Sequence, residues 1–175
     1  TRAKKDGGGY VLDGQKSVVL HGDSADTLIV AARTAGGQVD ADGITLFMVE
    51  RKALGVALRA YPTVDGLRAA EVSLESVAVG ADDVIGAPDG GLPVLEQVID
   101  QGITAVCAEA VGVMDALVKA TQEYLKTRVQ FGVPIGSFQV LQHRAVDMFM
   151  ATELSKSLTY RAAAMSGDTA QERAR

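Results

Sequence analysis

Ala87-Pro88-Asp89-Gly90-Gly91-Leu92 separates two kinds of periodicity in this chain, and that separation decides the fold. Downstream, Leu92, Leu95, Val98, Ile99, Ile103, Val106, Ala110, Val111, Met114, Leu117, Val118 and Leu125 recur at steps of three and four, the repeat of one helix face. The run predicts a helix of roughly 35 residues, about 50 Å long at 1.5 Å per residue. Gly102 and Gly112 interrupt it, each lowering helix propensity by about 1 kcal/mol against alanine, and close packing on a neighbouring helix is their expected role. Gly132 and Pro134 end it. A second helix is expected from about Ser137, its N-cap, through Phe138, Leu141, Ala145, Met148, Phe149 and Thr152 to Tyr160 and Ala164. Two long helices alone cannot bury both apolar faces, so more helices or another subunit are needed to complete a bundle.

Upstream, residues 1–86 carry strand signals. Tyr10-Val11-Leu12 leads through Asp13-Gly14, a hairpin-turn dipeptide, into Lys16-Ser17-Val18-Val19-Leu20. Thr27–Ala32 and Ile44–Val49 are apolar runs, and Gly36-Gly37 and Asp42-Gly43 frame the loop between them. Val56, Leu58 and Ala60 alternate with other residues, as do Val72 and Leu74, the period of half-buried strands. Pro62 and the glycines suit turns. The fold class is therefore α+β: an antiparallel β-barrel or sandwich over residues 1–86, then over 87–175 the first two helices of an incomplete four-helix bundle.

Composition restricts function. With 47% hydrophobic and 22% charged residues the chain is globular, and no apolar run is long enough to insert in a membrane. A net charge of −5 without a basic cluster, and no tryptophan, argue against a nucleic-acid partner. Arg2, Lys4 and Lys5 are expected to be a solvated tail. The single cysteine, Cys107, lies in the apolar stripe of the first helix and is expected to be a buried small hydrophobe. With no secretory signal opening the chain, a reducing, cytoplasmic setting is expected.

Between the helices lies Arg128-Val129-Gln130-Phe131-Gly132-Val133-Pro134-Ile135, followed by Phe138-Gln139 and Gln142. A guanidinium, an aromatic surface and amide groups at one helix–helix corner suit a ligand with phosphates and a ring. A solvent cation at a helix C-terminus is the plain alternative for Arg128. Gln142 reads about evenly as a helix-surface residue or helix–helix bond on one side and a ligand contact on the other, with the first preferred, and Phe138 reads as core.

The pattern R-x-Q-F-G-x-P-I-x-x-F-Q-x-x-Q resembles the start of the C-terminal helical domain of acyl-CoA dehydrogenases. Gly9-Tyr10-Val11-Leu12-Asp13-Gly14-Gln15-Lys16, Ala25-Asp26 with Leu28-Ile29-Val30 and Arg33-Thr34, Gly43–Val49, Gly66-Leu67-Arg68 and the Gly90-Gly91 turn resemble that family's middle domain and its exit, in the same order. The resemblance covers essentially the whole chain. It implies an FAD-dependent fold that dehydrogenates an acyl-CoA thioester at Cα–Cβ, in lipid metabolism such as fatty acid or steroid catabolism. It also implies a homo- or hetero-oligomer formed through the helical domain, with an electron-transfer flavoprotein as acceptor. The N-terminal helical domain, a flavin-lining loop and the last helices would then lie outside these residues.

Residue by residue, the resemblance implies that Arg128 and Gln139 reach the pyrophosphate and adenosine side of a neighbouring subunit's FAD, with Phe131 packing on the same cofactor. It assigns no catalytic residue and no metal. Three positions depart from the family. Val18 stands where a ring-shielding tryptophan is usual, and Leu20 where a hydroxyl residue donates toward the flavin. Gly102 stands where some members carry the catalytic glutamate, and Asp100 and Glu109 point in other directions on the helix. His21 and His143 read as surface residues.

Three readings remain open. The chain is the subunit of a heteromeric enzyme that completes a partner's FAD site, an ordinary homo-oligomeric dehydrogenase with its glutamate beyond residue 175, or a non-catalytic acyl-CoA or flavin binder. The first is favoured.

Overall fold

The computed structural model describes residues 1–165. It divides into two compact units, Thr1–Leu95 and Glu96–Arg175.

Seven strands build the first unit: β1 (Arg2–Asp6), β2 (Gly9–Leu20), β3 (Thr27–Arg33), β4 (Ile44–Glu50), β5 (Val56–Pro62), β6 (Arg68–Val79) and β7 (Val84–Ile85). They form one sheet in the order β5-β6-β2-β1-β3-β4-β7. The α+β class is as expected, but the antiparallel barrel is not. The sheet is open and mixed: β1 meets β3 in parallel at Arg2↔Arg33, while every other neighbour is antiparallel. Pro62 ends edge strand β5, where its missing N–H leaves no ladder bond unmade.

β1 corrects the expected tail. Alternation along Arg2-Ala3-Lys4 puts Ala3 in the core at 4% exposure and its charged neighbours outside. The turn that pairs β1 with β2 is Gly7-Gly8, closed by Asp6↔Gly9. Asp13-Gly14 therefore makes no hairpin. It lies inside β2, at a register shift against β6, with Gly14 at φ +140° and so close to Thr1 that an added Cβ would lie 2.6 Å from its Cα. A bulge uses the same glycine freedom as a turn, which is why the dipeptide misleads.

Leu12, Val72, Leu74 and Val77 from β2 and β6 share one core with Leu28, Val30, Phe47 and Val49 from β3 and β4. Tyr10 and Phe47 meet edge to face across it at 5.1 Å. The sheet thus folds over its own inner face.

The exit from the sheet is tied by hydroxyls. Thr45 is fully buried, and its Oγ1 accepts the Asp89 N–H at 2.8 Å. It lies 2.8 Å from the Thr34 hydroxyl, which reaches Asp89 Oδ1 at 2.5 Å. Each hydroxyl has one proton, so a consistent ring runs Asp89 N–H to Thr45, Thr45 O–H to Thr34, and Thr34 O–H to the Asp89 carboxylate. Asp89 is held at φ +63°, and Gly91 lies so close to β4 that an added Cβ would be 2.9 Å from the Ile44 carbonyl oxygen. Helix α1 (Gly91–Thr127) starts there.

The second unit continues α1 and adds a two-stranded hairpin, β8 (Val129–Gln130) and β9 (Val133–Pro134), a 3-10 turn at Ile135–Ser137, and α2 (Gln139–Ala164). Lys156 on α2 bonds Asp115 of α1 at 3.5 Å and Glu153 at 2.7 Å, a clamp that sets the register of the two helices. Ser137 does not cap α2. Its hydroxyl donates to the Pro134 carbonyl at 2.8 Å, and the cap falls on Phe138 with no side-chain bond. Cys107 is exposed rather than buried, and nothing lies within 4 Å of an added Cβ at Gly102 or Gly112. Cys107 lines an open groove between α1 and α2 with Leu158 and Thr159, and the two helices stand too far apart there to bury it.

Thr45→Val keeps the shape but leaves the Asp89 N–H without its acceptor. It is expected to lower stability by about 1–3 kcal/mol, read by urea unfolding; an unchanged midpoint and slope would contradict the ring.

Candidate functional site

The corner between α1 and α2 is built by a tight hairpin. Val129↔Pro134 and Gln130↔Val133 enclose a two-residue loop, Phe131-Gly132, with φ of +53° and +80°. Positive φ at both positions is the mark of a type I′ turn, which suits Asn-Gly or Gly-Gly better than phenylalanine. A left-handed non-glycine residue costs on the order of 1–3 kcal/mol. Here it places Phe131 at the hairpin tip with 92% of its surface exposed, its ring touching only the edge of Phe138 at 6.1 Å.

Arg128 stands at the hairpin's base. Its N–H bonds the Tyr124 carbonyl at 2.9 Å, and its own carbonyl accepts Ile135 N–H at 2.8 Å, so its backbone is fixed from both sides. Its guanidinium makes no hydrogen bond or ion pair with any described residue, and neither does the Gln139 side-chain amide. No side chain caps the N-terminus of α2, an end where the helix dipole favours anions, and the Leu141 and Gln142 N–H groups are taken by the Phe138 carbonyl. Gln142 instead donates to the Gly136 carbonyl at 2.8 Å, so it braces the turn. Phe138 is half-buried. The corner thus displays an unpaired cation, an amide and a bare aromatic face.

A second constellation lies on the first unit. β2 slips against β6 between Lys16 and Val19, and the bulge holds Val18 at φ +54°. Beneath it Glu71 of β6 accepts the Tyr61 hydroxyl at 3.0 Å, with the Ser17 hydroxyl and the Val18 N–H near enough to act on it. Those donors, the Ser17 hydroxyl foremost, hold the Glu71 carboxyl below the ordinary carboxylate range. Burial, and then Glu71, push the Tyr61 phenol up. Glu71 is missing from any reading of sequence alone, because its partners come from two other strands, β2 and β5.

His21 and His143 are exposed. Asp23 beside His21 pairs with Arg68, which lowers its carboxyl. Gly102 offers no acid–base group, and among the described residues no cluster of three or more His, Cys, Asp or Glu could hold a metal. No described helix is long and apolar enough to cross a membrane.

With this geometry in place, comparisons with known proteins agree. Residues 1–77 match the acyl-CoA dehydrogenase middle domain, and residues 89–175 match the acyl-CoA dehydrogenase C-terminal domain. The mitochondrial 2-methylacyl-CoA dehydrogenase of Solanum tuberosum is 35% identical over 91% of this chain and 39% of its own length. The prolyl acyl carrier protein oxidase AnaB superposes with a TM-score of 0.87 at 31% identity, over 94% of this chain and 44% of that one. Butyryl-CoA dehydrogenase from Megasphaera elsdenii superposes with a TM-score of 0.85, also at 31% identity and over the same shares. The chain belongs to the acyl-CoA dehydrogenase family, a family of FAD-dependent oxidoreductases. It spans about four-tenths of the length of these relatives.

The two constellations answer differently to FAD. Arg128, Gln139, Phe131 and the α2 N-terminus fit a pyrophosphate with a flat base beside it. Val18 and Leu20, each 59% exposed, offer the isoalloxazine neither a flat face nor a donor.

The Glu71 carboxyl, lowered in the fold, contributes to holding the bulge fully above its unfolded value near 4.3, and that contribution is lost as pH falls through the folded value. Val18 amide exchange, divided by its intrinsic rate, should stay protected from pH 7 to about 5 and lose protection at more acid pH. Protection that is flat down to pH 2, or identical in Glu71→Gln, would contradict the staple.

Proposed function

We propose that this chain is a subunit of an acyl-CoA dehydrogenase that completes the FAD site of a different, partner chain, for α,β-dehydrogenation of an acyl-CoA thioester. Residues 1–86 act as the middle domain and 87–175 as the leading helices of the C-terminal domain. The observation that carries the reading is the hairpin at the α1–α2 corner: a strained, almost bare Phe131 beside an Arg128 whose guanidinium has no acceptor among the described residues. Backbone strain of this kind clusters at binding sites, and here it carries a bare aromatic ring beside an unpaired cation.

When bound, FAD supplies the acceptor for the hydride that leaves Cβ. The residues of this chain bind and orient. Arg128 gives its fork of N–H donors to phosphate oxygens, the N–H groups opening α2 add to the same anion, and Gln139 offers an amide to the nucleoside. Phe131 covers the flat base and keeps water from it. Among the described residues none is assigned as the base for the α-proton: Gly102 has no side chain for it, and Glu109 is exposed on α1. That base is assigned to the rest of the assembly, and an electron-transfer flavoprotein is the acceptor proposed from the family.

The test uses the full-length chain co-purified with its partner chain. Hydrogen bonds to charged groups contribute about 1.5–3 kcal/mol, so Arg128→Ala should raise the Kd for FAD roughly ten- to hundredfold. Phe131→Ala should weaken binding in the same direction, and both variants should keep the wild-type unfolding midpoint within about 1 kcal/mol. FAD affinity unchanged by Arg128→Ala overturns the assignment.

A further inference from the structure

We infer that the face of α2 turned away from α1 is where this chain meets a second copy of itself, the two α2 helices lying antiparallel across a two-fold axis at Leu154. The inference goes beyond the FAD reading and does not depend on it.

α2 has two faces with different neighbours. Thr152 is buried, and Lys156 one turn further on reaches Asp115 of α1, so that side lies against α1. Leu154 stands two residues from Thr152, about 200° around a helix of 3.6 residues per turn, and looks the other way. There Met150, Leu154 and Leu158 each leave more than half of their surface exposed. Met150 and Leu154 line an open groove with Asp147, Ala151 and Ser157.

Charge decides what this face fits. Asp147, Leu154 and Arg161 stand at i, i+7 and i+14, a spacing that keeps them on one face with a drift of only about 20° per step. Asp147 and Arg161 are exposed, and neither side chain makes a hydrogen bond or ion pair with any described residue. Opposite charges thus sit about 10.5 Å to either side of an apolar centre. When a second α2 is turned end over end about Leu154, the Asp147 of each copy meets the Arg161 of the other, twice by symmetry. The same operation sets Met150 against Leu158 and Ala151 against Ser157. Large apolar side chains then meet each other, and small residues let the backbones approach. A parallel copy in register would instead set Asp147 against Asp147 and Arg161 against Arg161. His143 and Arg144, nearer the corner, fall opposite Met165 and Ala164, and Glu153 beside the groove is already held by Lys156. A patch that complements itself under a two-fold rotation is the mark of an isologous interface.

Exposed ion pairs add little attraction and are screened by salt, so Asp147 and Arg161 set orientation and register while Met150, Leu154 and Leu158 supply the drive. A contact one helix wide lies at the small end of specific interfaces, so the pairing is reversible.

Sedimentation equilibrium of the full-length chain reads the self-association Kd. Asp147→Arg sets arginine against Arg161 in both symmetric contacts, and Arg161→Asp sets aspartate against Asp147, so each should raise that Kd about tenfold or more. Asp147→Arg combined with Arg161→Asp rebuilds both pairs with the charges exchanged and should return the Kd to within about threefold of wild type. Misfolded single variants would not be rescued by a second charge change, and a helix of different sequence in the groove would be repelled twice by the double variant. Single reversals that leave the Kd unchanged, or a double variant that associates no better than the singles, would overturn the inference. A full-length chain that stays monomeric would overturn it too. So would single reversals that lower the unfolding midpoint without changing the Kd, because the face would then belong to another helix of the same chain.

Discussion

The buried hydroxyl of Thr45 governs the point at which this chain stops being a sheet and becomes a helix. Its bonds to Asp89 and Thr34 close a ring over the first unit's exit, and Gly91 lies against β4 because no side chain would fit. A ring of this kind is worth little per bond in water. Inside the fold each member left unpaired would carry a desolvation penalty, so the three stand or fall together. The start of α1 follows from it, and the α1–α2 corner follows from the length of α1 and from the Asp115–Lys156 clamp.

The helices are under-buried. Among the described residues only Gly91 in α1 and Thr152 in α2 are fully buried, while Ile99, Ile103, Val106, Phe149, Leu154 and Leu158 are exposed. Apolar surface on that scale is what a helix bundle covers with further helices. This agrees with relatives more than twice as long. The turn between α1 and α2 is held by its own hairpin bonds, which suits the role proposed for the corner.

Much of this was legible in the sequence, and the failures have physical causes. The change of period after Gly91 placed both helices, since 3.6-residue repetition over such lengths has no competing reading. Val72 and Leu74 alternated and are buried. Local signals did less well where tertiary partners decide. Asp13-Gly14 is equally good chemistry for a turn and for a bulge, and only the pairing of β2 with both β1 and β6 chooses. Three of the four residues from Arg2 to Lys5 are charged, and the single buried Ala3 is too small a signal against them. Ser137 gives its hydroxyl proton to the Pro134 carbonyl three residues back, and its oxygen accepts no N–H at the start of α2. For the site, Arg128, Phe131 and Gln139 were named from the sequence, but the left-handed Phe131 was not, because phenylalanine is an unfavoured choice for that turn. Glu71 could not be found at all without the sheet's register.

Two constellations on two separate units thus give one account. The corner carries donors that no described residue accepts; the bulge presents side chains, Val18 and Leu20, that carry no donor. The most direct measurement is the structure of the complex with its partner chain and bound FAD. The account predicts the pyrophosphate against Arg128, a base against Phe131, and the isoalloxazine on the β sheet of the partner chain. Isoalloxazine stacked over Val18 and Leu20 of this chain would contradict it.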